Sequence, residues 1–128
     1  MQSSDTPKAT RADALAWWTH TPGPLTAVQH RALGDGRPDL AVTLAATARG
    51  YRAVYPHDPD DLLAAETLGI DTTTTLGDPY ATTFLLIRRG CTHRRADLLR
   101  RAETDYTAAL AWIDAPPAWS ERHSAGSP

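Results

Sequence analysis

Proline and glycine divide this chain into short segments. Breaks fall at residues 21–24, 34–38, 56–59 and 77–79, and every one of them contains proline. Proline is favoured in the first turn of a helix, where its missing N–H is not needed, and glycine is favoured just past the last turn. The breaks therefore predict a series of short helices joined by tight turns.

The segments between these breaks repeat apolar residues every three or four positions, as one face of a helix does. We expect six helices, over residues 8–20, 24–34, 38–55, 59–68, 80–89 and 93–114. The third and sixth are the longest, so we expect them at the centre of the fold. The sixth also has the most regular apolar stripe, which consists of Leu99, Ala102, Tyr106, Ala109 and Ile113.

Residues 69–77 have the least helical character. This segment begins and ends with glycine, and its four consecutive threonines, Thr72 to Thr75, would lose side-chain freedom in a helix. We therefore predict a Thr-rich loop at about 69–77. Residues 80–89 fit either a helix or one buried strand. A helix is favoured because a lone strand would leave its backbone groups without partners.

Composition also favours helices. Of the 53 hydrophobic residues, 22 are Ala and 14 are Leu, and only six are Val or Ile. Ala and Leu are strong helix formers, whereas β-branched residues are typical of sheets. A chain of 128 residues fits one ordinary domain. We predict an all-α fold, a compact bundle or orthogonal array of five to six helices over residues 8–114, with a disordered tail at 1–7 and a flexible Pro/Ser-rich tail at 115–128.

Three features of the sequence bear on the compartment. No run of roughly 18 apolar residues could span a bilayer, and residues 1–10 lack the apolar stretch of a secretory signal. The single cysteine, Cys91, cannot form an internal disulfide, which fits a reducing compartment. We expect a cytoplasmic protein with no membrane association. Abundant Ala, Arg, Asp, Pro and Thr beside one lysine also indicate a GC-rich bacterial genome.

Charge is segregated in the second half of the chain, although the net charge is only −2. Residues 58–78 contain six acidic residues and no Lys or Arg, and residues 88–101 contain six arginines and one acid. The arginines could bind an acidic protein surface or nucleic acid. Alternatively, Asp97, Arg101 and Asp105, each one helical turn apart, could neutralise one another, or the acidic and basic segments could face each other within the fold or across a dimer. The candidate binding residues are Arg88, Arg89, Arg94, Arg95, Arg100 and Arg101.

A pocket between helices is a second candidate site, although large aromatic residues on helices more often belong to the core. Cys91 would be reactive if it were exposed beside its neighbouring arginines, but a buried, inert cysteine is favoured. Cys91 and His93 lack the further ligands that a tetrahedral metal site needs, so we predict no metal and no cofactor. No catalytic arrangement is recognised. The candidate pocket residues are Trp17, Trp18, Tyr51 and Tyr55.

These observations favour a small helical interaction or regulatory module over an enzyme. We expect it to self-associate or to bind a protein partner, with the arginine-rich face meeting an acidic surface. One alternative is a nucleic-acid-binding protein that uses residues 88–101. Another is a small enzyme or ligand-binding protein with a pocket between helices.

Overall fold

A computed structural model describes residues 9–21, 23–51 and 59–114, and the all-α prediction is confirmed for them. The predicted tails at 1–7 and 115–128 and the side chains of Tyr51 and Tyr55 lie outside the described residues. No strand occurs in the described ranges, and residues 80–89 are helical, as expected. The helices are α1 (Arg11–His20), α2 (Leu25–Gly34), α3 (Pro38–Thr47), α4 (Pro59–Leu76), α5 (Pro79–Arg95) and α6 (Leu99–Asp114), and a 3₁₀ helix (Ala48–Tyr51) continues α3.

Helices α3 and α4 form the centre of the array. Helix α3 packs against α1, α2, α4 and α5, and α4 also contacts α2 and α5. The central position expected for the third helix is therefore confirmed. The central position expected for the sixth is wrong, because α6 packs mainly against α5 at one edge of the array.

The core is built largely from Ala and Leu, as the composition predicts. Leu25, Val28 and Leu44 are completely or almost completely buried between α1, α2, α3 and α4. A second cluster around Leu85 and Leu86 joins α5 to α3, α4 and α6. Burying each such side chain contributes roughly 1.5–3 kcal/mol, so these clusters fix the order in which the helices stack.

Three of the predicted helix starts are confirmed, whereas the sixth helix begins at Leu99 and not at residue 93 as predicted. Pro38, Pro59 and Pro79 are each the first residue of a helix. The carboxylate of Asp78 accepts a hydrogen bond from the backbone N–H of Ala81 at 3.1 Å, which caps α5. These prolines and caps satisfy or remove backbone donors that have no partner in the first turn.

The predicted Thr-rich loop is wrong, because α4 continues through it to Leu76. The hydroxyl groups of Thr72 and Thr74 donate to the carbonyl oxygens of Leu68 and Ile70, four residues back. Thr73 is buried and accepts a hydrogen bond from the hydroxyl of Thr82 at 2.8 Å. Packing and these bonds therefore outweigh the weak helix propensity of threonine.

The sequence suggested that Gly69 and Gly90 end helices. In the structure, they lie inside α4 and α5. A Cβ on Gly69 would lie 2.9 Å from Ala45 Cβ and 2.9 Å from Leu85 Cδ1. A Cβ on Gly90 would lie 2.7 Å from Tyr106 Cε1. Both glycines thus allow a neighbouring helix to approach closely. The end predicted for the fifth helix at residue 89 is therefore wrong, because α5 continues to Arg95.

The turn between α5 and α6 consists of Ala96, Asp97 and Leu98. Asp97 has a positive φ of 62°, and the N–H of Leu98 donates to the carbonyl of His93 at 2.8 Å. This is a Schellman ending in which aspartate takes the position that glycine usually occupies. Helix α5 therefore ends at Arg95, and α6 returns antiparallel to it.

Candidate functional site

The structure places the six candidate arginines in three different environments. Arg89 lies between α5 and α6 and bonds to a buried carboxylate. Arg88 lies over the ring of Phe84, with its guanidinium carbon 5.0 Å from the ring centroid. The other four are exposed around the α5–α6 turn, and we call them the basic end: Arg94, Arg95, Arg100 and Arg101.

Asp105 is the centre of a buried polar cluster. It is 3% exposed, and its Oδ1 lies 2.8 Å from Nη2 of Arg89, while its Oδ2 lies 2.7 Å from Nδ1 of His93. Arg89 also donates from Nη1 to Thr67 Oγ1 at 3.1 Å. The sequence suggested a pair between Asp105 and Arg101 on the same helix. In the structure, Asp105 bonds instead to Arg89 and His93 of α5. A buried carboxylate with this many partners fixes the position of α6 on α5.

A second buried polar group lies where α4, α5 and the 3₁₀ helix meet. Nη2 of Arg49 donates to Thr92 Oγ1 and to the carbonyl oxygen of Arg88, and it lies 3.8 Å from Oε2 of Glu66. Glu66 is 1% exposed, and its Oε1 has no hydrogen-bond partner among the described residues. Burial raises the pKa of Glu66 to about 6, although Thr92 and Arg49 act in the opposite direction.

The acidic segment at 58–78 does not present one acidic face. Asp61 accepts a hydrogen bond from the backbone N–H of Leu25 at 2.9 Å, which caps α2 from another helix. Asp78 caps α5 and Glu66 is buried. Asp60 and Asp71 are exposed, and Asp58 lies outside the described residues. Asp61 and Asp78 therefore stabilise helix starts, and they do not form a free acidic surface.

The two tryptophans of the candidate pocket are packing residues. Trp18 is 8% exposed and belongs to the core cluster that includes Leu25 and Leu44. Trp17 is partly buried, and its indole N–H donates to the carbonyl oxygen of Val28 at 3.2 Å. Neither side chain lines the pocket described below.

Cys91 lies on the outer side of α5 and is partly buried. Its Sγ accepts a hydrogen bond from the hydroxyl of Tyr106 at 3.3 Å. This hydrogen bond, together with burial, raises the pKa of Tyr106. The contact joins α5 to α6.

A pocket of about 460 Å³ opens between α1, α3, the 3₁₀ helix and α5. Three of its lining residues are arginines, namely Arg11, Arg49 and Arg88, and Phe84 supplies an aromatic wall. Sequence reasoning included Arg88 in a surface cluster and missed Arg11 and Arg49. The three lie far apart along the chain, and only the packing of α1, α3 and α5 brings them together.

The outer surface of the α5–α6 hairpin is unusually apolar. Tyr80, Phe84 and Ile87 recur at spacings of four and three along the outer side of α5, with exposed fractions of 89%, 45% and 41%. Leu110 and Ile113 are 58% and 59% exposed on α6. Because α6 is antiparallel to α5 and places Tyr106 beside Gly90, both continue along the side that carries Ile87. We call these five residues the α5–α6 apolar face.

This face revises the stripe predicted for the sixth helix. Ala102 and Ala109 are buried, as expected, but Leu99 and Ile113 are exposed. Asp105 takes the buried place instead, because Arg89 and His93 of α5 both bond to its carboxylate. The apolar stripe of α6 is therefore turned partly outward.

Among the described residues, no three His, Cys, Asp or Glu side chains are gathered as metal ligands would be. None of the described helices is long and apolar enough to span a membrane. No protein-family model, curated protein or solved structure matches the chain.

Proposed function

We propose that the protein is a small interaction module that self-associates through the α5–α6 apolar face. The observation that carries the proposal is the exposure of five large apolar side chains on one edge of the array. Contiguous exposed apolar surface of this kind typically marks an interaction site. A second copy is the simplest partner, because two identical faces are complementary around a two-fold axis.

Charge selects one orientation of the two copies. The basic end surrounds the α5–α6 turn, whereas the exposed Asp114 ends α6 at the opposite end of the hairpin. The C-terminal carbonyl groups of α6 add partial negative charge there. An antiparallel pair places the basic end of each copy against the Asp114 end of the other. A parallel pair would bring two sets of arginines together, which costs free energy.

Sedimentation velocity of surface variants tests the proposal. Ile87→Glu and Leu110→Glu each add a charge to the apolar face, and burying such a charge should weaken the dimer by at least about tenfold in Kd. Both side chains are exposed, so the helices should still fold. The matched control is Ala111→Glu, which adds the same charge to another exposed position of α6. Equal dissociation constants for all three variants and the wild type would refute the proposal.

A charge exchange tests the orientation separately. Arg94→Asp alone and Asp114→Arg alone should each weaken self-association, because each places like charges opposite one another. The double variant should associate more tightly than either single variant. If the free energy of association that the double variant loses equals the sum of the two single losses, the antiparallel arrangement is contradicted. That result would not contradict self-association through the apolar face.

The arginines of the basic end also belong to the nucleic-acid hypothesis, and the two roles can be compared in the same protein. Replacing all four of its arginines by Gln should weaken self-association. If self-association is unchanged, the arginines have no role in it. Binding of a labelled oligonucleotide that falls steeply with salt would favour the nucleic-acid hypothesis instead. Residues 88–101 contain no aromatic side chain on which a base could stack, which favours a protein surface.

A further inference from the structure

The pocket that contains Arg11, Arg49 and Arg88 has the composition of an anion site. Three guanidinium groups line it, and no carboxylate does so among the described residues. The buried acid Glu66 lies 3.8 Å from Arg49.

Two of these arginines are held in place by the protein. Nη2 of Arg49 bonds to Thr92 and to the carbonyl oxygen of Arg88, while its Nε and Nη1 make no hydrogen bond to any described residue. Arg88 is held over the ring of Phe84 and forms no ion pair within the described ranges. Guanidinium groups fixed in this way lose little conformational freedom when they bind a ligand.

Gly50 contributes to the shape of the pocket. A Cβ at this position would lie 3.2 Å from Nη2 of Arg11, which is tighter than ordinary van der Waals contact. The absence of a side chain therefore leaves room for the Arg11 guanidinium beside the backbone. The result is a charged wall from α1 facing the wall formed by α5.

We infer that this pocket binds a small organic oxyanion, a carboxylate or a phosphate ester, whose apolar part lies toward Phe84. The volume of about 460 Å³ is within the range of roughly 300–1,000 Å³ that small-molecule pockets have. Arginine forks match the two oxygens of a carboxylate or of a phosphate group. The site shares Phe84 with the α5–α6 apolar face, whereas Arg11, Arg49 and Arg88 lie outside that face, so anion binding and self-association are tested with different variants.

Isothermal titration calorimetry with defined probes tests this inference. The probes are phenyl phosphate, benzoate, inorganic phosphate and the neutral benzyl alcohol. We expect saturable binding of phenyl phosphate or benzoate with one site per chain, weaker binding of inorganic phosphate, and none of benzyl alcohol. The preferred aryl anion then distinguishes a phosphate ester from a carboxylate as the ligand class.

Variants connect the binding to the pocket. Arg88→Gln should weaken binding of the preferred probe by about tenfold or more, since it removes a charge-assisted hydrogen bond. The control is Arg100→Gln, which removes the same charge from the exposed basic end. Arg49→Gln is a second test, used after its thermal unfolding has shown that it folds. The inference is overturned if no aryl anion binds at millimolar concentration, or if Arg88→Gln and Arg100→Gln bind the probe equally well.

Discussion

Replacing Glu66 by Gln tests whether the bundle contains a poorly compensated buried carboxyl group. Glu66 is 1% exposed, its Oε1 has no hydrogen-bond partner among the described residues, and Arg49 lies 3.8 Å from its Oε2. Burial raises the pKa of Glu66 from 4.5 to about 6, against the opposing effects of Thr92 and Arg49. The ionised group is therefore less stable in the folded protein than in the unfolded chain.

The sign of the effect on stability follows from these pKa values. Between pH 4.5 and about 6, the unfolded chain releases a proton that the folded protein retains. The free energy of unfolding therefore decreases as the pH rises through this interval, by about 2 kcal/mol. The Gln side chain stays neutral at every pH. We expect Glu66→Gln to match the wild type below the interval and to be more stable by about 2 kcal/mol above it.

Urea unfolding followed by circular dichroism at about pH 4 and at about pH 8 measures both values. Glu103→Gln is the control, because it removes the same charge from an exposed position of α6. It should change the free energy of unfolding by less than about 0.5 kcal/mol. A Glu66→Gln variant that is less stable than the wild type at the higher pH would refute the reasoning, since ionised Glu66 would then be a favourable partner of Arg49.

Urea unfolding also checks two further predictions. Asp105→Asn should lower the free energy of unfolding by about 3–5 kcal/mol, because it removes the buried carboxylate to which Arg89 and His93 both bond. Asp39→Asn, in a surface pair, should cost less than about 1 kcal/mol, and equal losses would contradict the role of the buried cluster. Gly90→Ala should cost about 1–3 kcal/mol through the contact with Tyr106. Gly34→Ala, with nothing within 4 Å of the added Cβ, should be neutral or stabilising. A larger loss of stability for Gly34→Ala than for Gly90→Ala would contradict the packing described for α5 and α6.

Local sequence signals predicted the helical fold and the helix starts at Pro38, Pro59 and Pro79, but the start of the sixth helix and several helix ends were wrong. Pro38, Pro59 and Pro79 act through their own backbone, so the helix starts that they mark can be predicted without knowledge of the tertiary packing. The roles of Gly69 and Gly90 depend on side chains from other helices, and no local pattern distinguishes close packing from a helix end. A glycine that allows close packing and a glycine that ends a helix therefore look the same in the sequence.

The site residues were harder to predict for a related reason. Arg49 and Glu66 meet Arg88 and Thr92 only because α3, α4 and α5 pack together, and charge counting along the chain cannot reveal that contact. Asp105 did carry a signal, since it lies three residues after Ala102 and four before Ala109, both buried. An acid at that spacing indicates a buried carboxylate with a partner on a neighbouring helix.

An NMR dilution series of the isotope-labelled wild-type protein tests the central claim of self-association through the α5–α6 apolar face. Backbone amide resonances are recorded while the concentration is lowered, and those that shift identify the interface. We predict concentration-dependent shifts at Tyr80, Phe84, Ile87, Leu110 and Ile113 and in the basic end, with α1 and α2 unchanged. Resonances that do not depend on concentration, or shifts confined to α1 and α2, would contradict the claim.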